Sequence, residues 1–185
     1  MLNLPAEQYK WIRELSFADV FEIWRRNEEG KEQWESHARE RGFRGWEEWR
    51  MRYVKALGLR KRHWSLYQVI NPLAVVPKWR GGPFKTWMER HYGGIFTPTF
   101  AQLAKQPDMQ KHAGPKEAQG AFPRTTTVIA LFRDGQLVVI EGMHRCVAIA
   151  LAARVGRPIE TSLFAALADA SGEELKPVGQ FKKTH

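Results

Sequence analysis

The stretch that most constrains the fold of this chain runs from residue 127 to residue 158. A β-branched and aromatic segment, 127–132, is followed by an Asp-Gly pair and by a second apolar segment, 137–140. An Asp-Gly pair between two such segments is a strong short-range signal for a β-hairpin. An alanine-rich apolar segment, 146–155, then stops before Gly156, as a helix commonly does. The predicted order is strand, tight turn, strand, glycine turn and helix.

The glycine turn has the sequence Glu141-Gly142-Met143-His144-Arg145 and is called the EGMHR turn below. The first amides of a helix lack intrahelical acceptors and lie at the positive end of its dipole, so this position suits an anion such as phosphate. Arg145 can bind two phosphate oxygens, and His144 can donate a hydrogen bond or transfer a proton near neutral pH. Glu141 can hold a metal ion or act as a base. An ordinary turn with solvated charges is the alternative.

This order of strands, acidic-Gly-x-His-Arg turn and alanine-rich helix resembles the core of the ParB/sulfiredoxin superfamily over roughly residues 64–168. In that superfamily the turn binds the phosphates of a nucleotide. The resemblance therefore implies that Gly142, Met143, His144 and Arg145 bind the phosphates of ATP, ADP or CTP. It places Glu141 at the acidic position, where it would act in catalysis or hold Mg²⁺.

The family's strand and loop before the hairpin also supply part of the nucleotide pocket, which makes Lys78 and Arg80 further candidates for phosphate contact. Two departures from the family pattern narrow the implied activity. Met143 stands where sulfiredoxin has its reactive cysteine, so repair of sulfinic acid is not expected. The paired arginines of chromosome-partitioning ParB proteins are absent, which weakens a centromere-binding interpretation.

Three functional hypotheses follow. The first is a nucleotide-dependent phosphotransferase or NTP hydrolase, in which Glu141 and His144 are catalytic. Free-serine kinases of the superfamily have a phosphate-binding turn that resembles the EGMHR turn. The second is a DNA-binding or ParB-like nuclease-type protein. The third is a nucleotide sensor that binds without turnover.

The amino-acid composition is compatible with all three hypotheses. The chain has 185 residues, of which 43% are hydrophobic, enough for one main domain with a core. Its formal charge of +9 favours anionic partners such as nucleotides or nucleic acid. The sequence contains no apolar run of about 18 residues, so no membrane span is predicted. The N-terminus lacks the pattern of a signal peptide, so a cytoplasmic protein is expected. The single cysteine, Cys146, excludes an internal disulfide.

The predicted fold class is α+β, with a small mixed β-sheet and flanking helices preceded by an N-terminal helical unit. The predicted domains are the helical unit 1–63, the ParB/sulfiredoxin-like domain 64–168 and a polar C-terminal tail 169–185. Helices are predicted within 1–15 and over 17–30, 31–41, 46–57, 84–92 and 97–105, and further strands over 66–70 and 159–167, with an extended piece after an Asn-Pro turn at 71–72.

The tryptophans of the helical unit have the spacing of core residues, although stacking on nucleic-acid bases is an alternative for them. The segment 107–124 is rich in turn residues and could close over the phosphate site, with His112 or Lys116 reaching in, or it could be disordered.

Overall fold

The computed structural model describes residues 2–112 and 122–182. In these residues five strands form one mixed sheet. They are β1 (Tyr9–Leu15), β2 (Trp64–Val69), β3 (Thr125–Arg133), β4 (Gln136–Glu141) and β5 (Ser162–Asp169). Their order across the sheet is β1-β2-β5-β3-β4. The β3–β5 pair is parallel and the other three pairs are antiparallel.

Helices lie on both faces of this sheet, which confirms the predicted α+β class. They are α1 (Phe17–Glu28), α2 (Glu32–Glu40), α3 (Trp46–Ala56), α4 (Pro72–Val75), α5 (Lys85–Arg90), α6 (Phe100–Leu103), α7 (Pro107–His112) and α8 (Met143–Arg154), with short 3₁₀ turns at Leu59–Lys61 and Val76–Lys78. Ser16 and Asp19 form a reciprocal capping box at the start of α1. None of the helices in the described ranges is long and apolar enough to cross a membrane.

Successive side chains of the central strands point to opposite faces of the sheet, so the core has two layers. Val128 and Ala130 of β3 pack with α8, α4 and α6 on one face of the sheet. Ile129 and Leu131 point to the opposite face, where they pack with α1 and α3. The crossover from β3 to its parallel neighbour β5 passes through β4 and α8. The carboxyl end of β4 and the first turn of α8 therefore lie at one edge of the sheet, beside the N-terminal helices.

The helix predicted within residues 1–15 is wrong, because this segment forms the edge strand β1. Tyr9, Ile12 and Leu15 have helical spacing, but Ile12 is 37% exposed and the five residues between Tyr9 and Leu15 are all exposed. The backbone pairs with β2 instead. A tertiary partner has overridden a weak local pattern. The sheet thus draws strands from both sides of the boundary predicted at residue 63.

Three other local predictions need correction. The extended piece predicted after Asn71 is the short helix α4, for which the Asn71 side chain is the cap and Pro72 supplies the first position. The helix predicted over 97–105 is only the short α6, which Thr99 caps. The last strand begins at Ser162 instead of residue 159. In each case the type or the bounds of the element depend on a cap or a pairing partner that periodicity does not identify.

The segment after β5 is not simply a polar tail. Leu175 and Val178 are buried. Val178 donates its N–H to the Pro83 carbonyl (2.7 Å) and accepts from the Lys85 N–H (2.8 Å). The segment after β5 therefore packs against the residues that lead into α5.

The predicted closing loop is in part the helix α7, whose Met109 is buried. The proposed contributions of Lys116 and of the His112 side chain fall outside the described part of the chain.

Candidate functional site

A cavity of about 640 Å³ lies between helices α1–α3 and the edge of the sheet where β4 leads into α8. The EGMHR turn lines it on one side, and residues of the N-terminal helices line it on the other. Such a volume is within the usual range for small-molecule sites. The corner predicted to bind an anion is thus open to a cavity rather than closed by packing.

The bend from strand into helix occurs where the sequence predicts it. Gly142 adopts φ 99° and ψ 18°, a left-handed conformation that favours glycine. A Cβ at this position would lie 2.6 Å from Cγ1 of Val128, so glycine is also required by space. The Cys146 amide donates to the Gly142 carbonyl at 3.0 Å and begins the helical hydrogen bonds. The amides of Met143, His144 and Arg145 precede it and have no acceptor one turn earlier within α8.

Glu141 and Arg145 form a buried ion pair across the turn. Nη2 of Arg145 lies 2.5 Å from Oε1 of Glu141, and the two side chains are 13% and 6% exposed. Arg145 also donates to the Thr126 hydroxyl and, at 3.1 Å, to the Thr127 carbonyl. Burial raises the pKa of Glu141, while the Arg145 guanidinium opposes this rise. Arg145 therefore anchors the turn to β3, and its fork is engaged by protein groups.

Asn27 of α1 connects the N-terminal helices to this pair. Its side-chain amide donates to Oε2 of Glu141 at 2.8 Å and to the Thr127 carbonyl at 3.2 Å. Both oxygens of Glu141 thus accept hydrogen bonds from protein donors. Nothing in the local sequence of Asn27 marks a partner 114 residues away, so the sequence alone does not identify this residue.

His144 is the exposed functional group of the turn, and it lines the cavity. Its ring centroid lies 4.9 Å from that of Trp87. The side chain keeps contact with solvent, but neighbouring protein atoms, among them the Trp87 ring, replace part of the water around the imidazole. This burial lowers the pKa of His144, and His91 nearby lowers it further. The ring is therefore held toward its neutral form, which can accept a hydrogen bond or a proton.

The other predicted contact residues have different surroundings. The Met143 side chain is buried, and its sulfur accepts the Gly82 N–H at 3.3 Å, so only its backbone amide is left for the predicted contact with an anion. Arg80 exchanges backbone hydrogen bonds with β4 and donates its guanidinium to the Thr97 carbonyl at 3.1 Å. Lys78 is exposed. Neither Lys78 nor Arg80 lines the cavity.

Further basic side chains, none of which has a local sequence signal, line the cavity. They come from α1, α2 and α5 and the residues flanking α2, and comprise Arg26, Lys31, His37, Arg41 and Arg90. Lys31 also donates to the Asn27 carbonyl at 2.5 Å. The net charge of +9 indicates a basic protein, but only the tertiary structure shows which basic residues share a cavity.

A second buried ion pair, Glu28–Arg50, lies in the wall formed by α1 and α3. Arg50 Nε and Nη2 lie 2.5 and 2.9 Å from the carboxylate oxygens of Glu28. The guanidinium carbon lies 4.0 Å from the Trp49 ring centroid and 5.1 Å from those of Trp34 and Tyr53. The protein's own arginine thus occupies this aromatic cage.

The prediction that the tryptophans of the helical unit are core residues is confirmed for Trp24, Trp46 and Trp49, which are at most 4% exposed. Trp34 is only partly buried and lines the cavity. Its ring is therefore available to a ligand in a way that the three buried rings are not.

Within the described ranges, no three His, Cys, Asp or Glu side chains come together as a metal site. A metal ion at Glu141 would have to displace Asn27 or Arg145 from the carboxylate. Comparison of the chain with protein-family models, curated proteins and solved structures finds no match.

Proposed function

We propose that the protein binds a nucleotide, with the phosphates against the EGMHR turn. The observation that carries this proposal is the shared cavity, which the amide end of α8 and His144 line together with basic side chains of the N-terminal helices. Amides and cations together suit phosphate oxygens. Partly exposed aromatic rings in the same cavity, those of Trp34, Phe84 and Trp87, can contact a base.

We further propose that the sheet and turn are those of a ParB/sulfiredoxin-like domain in a cytoplasmic protein. The β3–β4 hairpin, the turn and α8 occur in the order that the resemblance requires, and this order supports the proposal. Arg145 would act mainly by holding the turn in place, because its guanidinium is engaged with Glu141 and β3. The direct phosphate contacts would come from the amides and from His144.

Binding can be tested by calorimetry and by the shift in melting temperature with ATP, ADP and CTP, each with and without Mg²⁺. We expect at least one nucleotide to bind and to raise the melting temperature. We also expect His144→Ala to weaken binding about 10-fold or more, the scale of one hydrogen bond to a charged group. Arg44→Ala is the control, because the Arg44 side chain is 86% exposed and does not line the cavity. A chain that binds none of the three nucleotides would contradict the proposal.

Phosphoryl transfer is a second candidate, favoured by the neutral imidazole of His144 beside the helix end. In such a reaction His144 could accept the proton of an attacking hydroxyl or water. Glu141 is less suited to act as the base, because both of its carboxylate oxygens accept hydrogen bonds from protein groups. Release of inorganic phosphate or labelling of an acceptor would distinguish the enzyme from a nucleotide sensor, and turnover lost in His144→Ala but kept in Arg44→Ala would assign the base.

A further inference from the structure

The arginine and lysine side chains that line the cavity differ in whether protein groups already engage them. They are Arg26, Lys31, Arg41, Arg50, Arg90 and Arg145. Five of them have a partner: a carboxylate for Arg26, Arg50 and Arg145, and a backbone carbonyl for Lys31 and Arg41. Within residues 2–112 and 122–182, the side chain of Arg90 has neither a hydrogen bond nor an ion pair. Arg90 is therefore the cavity's unengaged guanidinium in the described part of the chain.

Arg90 belongs to the helix that contacts the EGMHR turn. It lies three residues after Trp87 on α5, so the two side chains share one face of this helix. The Trp87 ring packs against His144, with 4.9 Å between the ring centroids. All three residues line the cavity, and Arg90 is exposed. A guanidinium without a protein partner is thus carried by the element that packs on His144.

The residues on either side of Arg90 are held in place. Glu89 accepts two hydrogen bonds from the side-chain amide of Gln180, at 2.7 and 2.8 Å. The His91 ring is hydrogen-bonded to the Asp108 carboxylate of α7. The backbone that carries Arg90 is therefore anchored in both directions along the chain, although its side chain is not. A ligand that binds this guanidinium needs to order only one side chain, which keeps the cost of binding low.

The other cations would lose more on binding a phosphate. Arg145 would leave the buried carboxylate of Glu141 without its cation, which is strongly unfavourable. Arg26 is 78% exposed and lies 2.9 Å from Glu22, whose carboxylate would repel a phosphate. Arg90 exchanges only water for the phosphate oxygens, and a guanidinium can donate two parallel hydrogen bonds to them.

We infer that Arg90 is the side chain that binds the phosphate oxygens of the ligand, together with the first amides of α8 and His144. This inference rests on the proposed function, because it takes the EGMHR turn as the phosphate site, and it names a further binding residue of that site. Arg90 then makes the contact that the sequence pattern assigns to Arg145. The same donors should bind inorganic pyrophosphate, which carries the phosphates of a nucleotide without its base.

The test measures pyrophosphate binding by calorimetry. We expect the wild-type protein to bind pyrophosphate and Arg90→Gln to weaken this binding about 10-fold, the scale of one hydrogen bond between charged groups. Lys85→Gln is the matched control, because it removes the same charge from the same helix at an exposed position outside the cavity. It should change the affinity less than about 2-fold, as should Arg26→Gln, whose charge is offset by Glu22.

The melting temperature without ligand separates binding from folding. Arg90→Gln should leave it unchanged, because the side chain has no partner to lose in the described ranges. If Arg90→Gln does not fold, Arg90→Lys decides, since it keeps the charge but not the planar fork. We expect Arg90→Lys to weaken pyrophosphate binding by about 3-fold or more, and wild-type affinity in this variant would overturn the inference.

The inference is also overturned if Arg90→Gln binds pyrophosphate as tightly as the wild-type protein, or if Lys85→Gln or Arg26→Gln weakens binding by the same factor. Binding of ATP, ADP or CTP without binding of pyrophosphate would remove this inference and leave the proposed function standing. No binding of pyrophosphate or of any of the three nucleotides would remove both.

Discussion

Replacing Arg145 by methionine should destabilise the protein strongly at neutral pH. Methionine keeps much of the side-chain length but removes the donors to Thr126 and Thr127 and the cation beside Glu141. The carboxylate, 6% exposed, would then keep only the Asn27 amide as a partner. Removing one member of a buried ion pair costs about 3 to 5 kcal/mol. Against a total stability of about 5 to 15 kcal/mol, this is a large fraction.

The double variant Arg145→Met/Glu141→Gln separates the charge effect from the lost hydrogen bonds. A neutral glutamine can accept the Asn27 amide without leaving a charge in the core. Its remaining cost should be about 1 to 3 kcal/mol, so the double variant should be more stable than Arg145→Met alone. Arg44→Met is the surface control and should change stability by less than about 1 kcal/mol, because the Arg44 side chain is 86% exposed and lies 3.5 Å from its partner Glu48.

The pH dependence gives a second, independent check. Burial already raises the pKa of Glu141, and loss of the guanidinium should raise it further. The folded state then binds a proton more readily than the unfolded state, whose pKa is near 4.5. The stability that this protonation supplies is complete below the unfolded pKa and is lost as the pH rises. The cost of Arg145→Met should therefore be larger at about pH 7.5 than at about pH 5.

Urea unfolding followed by tryptophan fluorescence measures these differences, since the chain contains eight tryptophans. The reasoning is refuted if Arg145→Met costs less than about 1 kcal/mol, since so small a cost matches an exposed ion pair. It is also refuted if the double variant is the less stable of the two, or if the cost does not depend on pH.

Three further predictions concern the same corner of the molecule. Gly142→Ala should lower the free energy of unfolding by about 2 kcal/mol or more in thermal unfolding, because alanine is strained at φ 99° and its Cβ would meet Val128. Gly156→Ala is the control and should lower it less, because φ is 67° and the space around this glycine is open. Asn27→Ala should cost about 1 to 3 kcal/mol in urea unfolding, since it leaves one oxygen of the buried carboxylate unpaired; a cost near zero would show that this contact is not formed. Because the pKa of His144 is lowered from 6.5, its contribution to stability is present above that value and lost as the pH falls, so His144→Asn should flatten the acid side of the stability profile.

The strongest local signals in the sequence predicted the elements that carry the site. The predicted Asp-Gly hairpin is formed by β3 and β4, and the predicted alanine-rich helix is α8. Between them, Gly142 adopts the left-handed conformation that a glycine turn requires. These elements are encoded locally, by turn residues and by apolar segments a few residues apart. The same holds for the capping box that begins α1.

The tertiary structure alone decided what surrounds the turn. Residues 9–15 became a strand because β2 offers them backbone partners, and Val178 of the C-terminal segment is held by backbone hydrogen bonds with Pro83 and Lys85. The hydrogen bond from Asn27 to Glu141, and the cavity that residues of α2 share with the turn, involve residues about a hundred positions apart. Side-chain pairing at that separation leaves no periodic trace in the sequence. The turn was therefore predictable, whereas the second wall of its cavity followed only from how the N-terminal helices pack on the sheet.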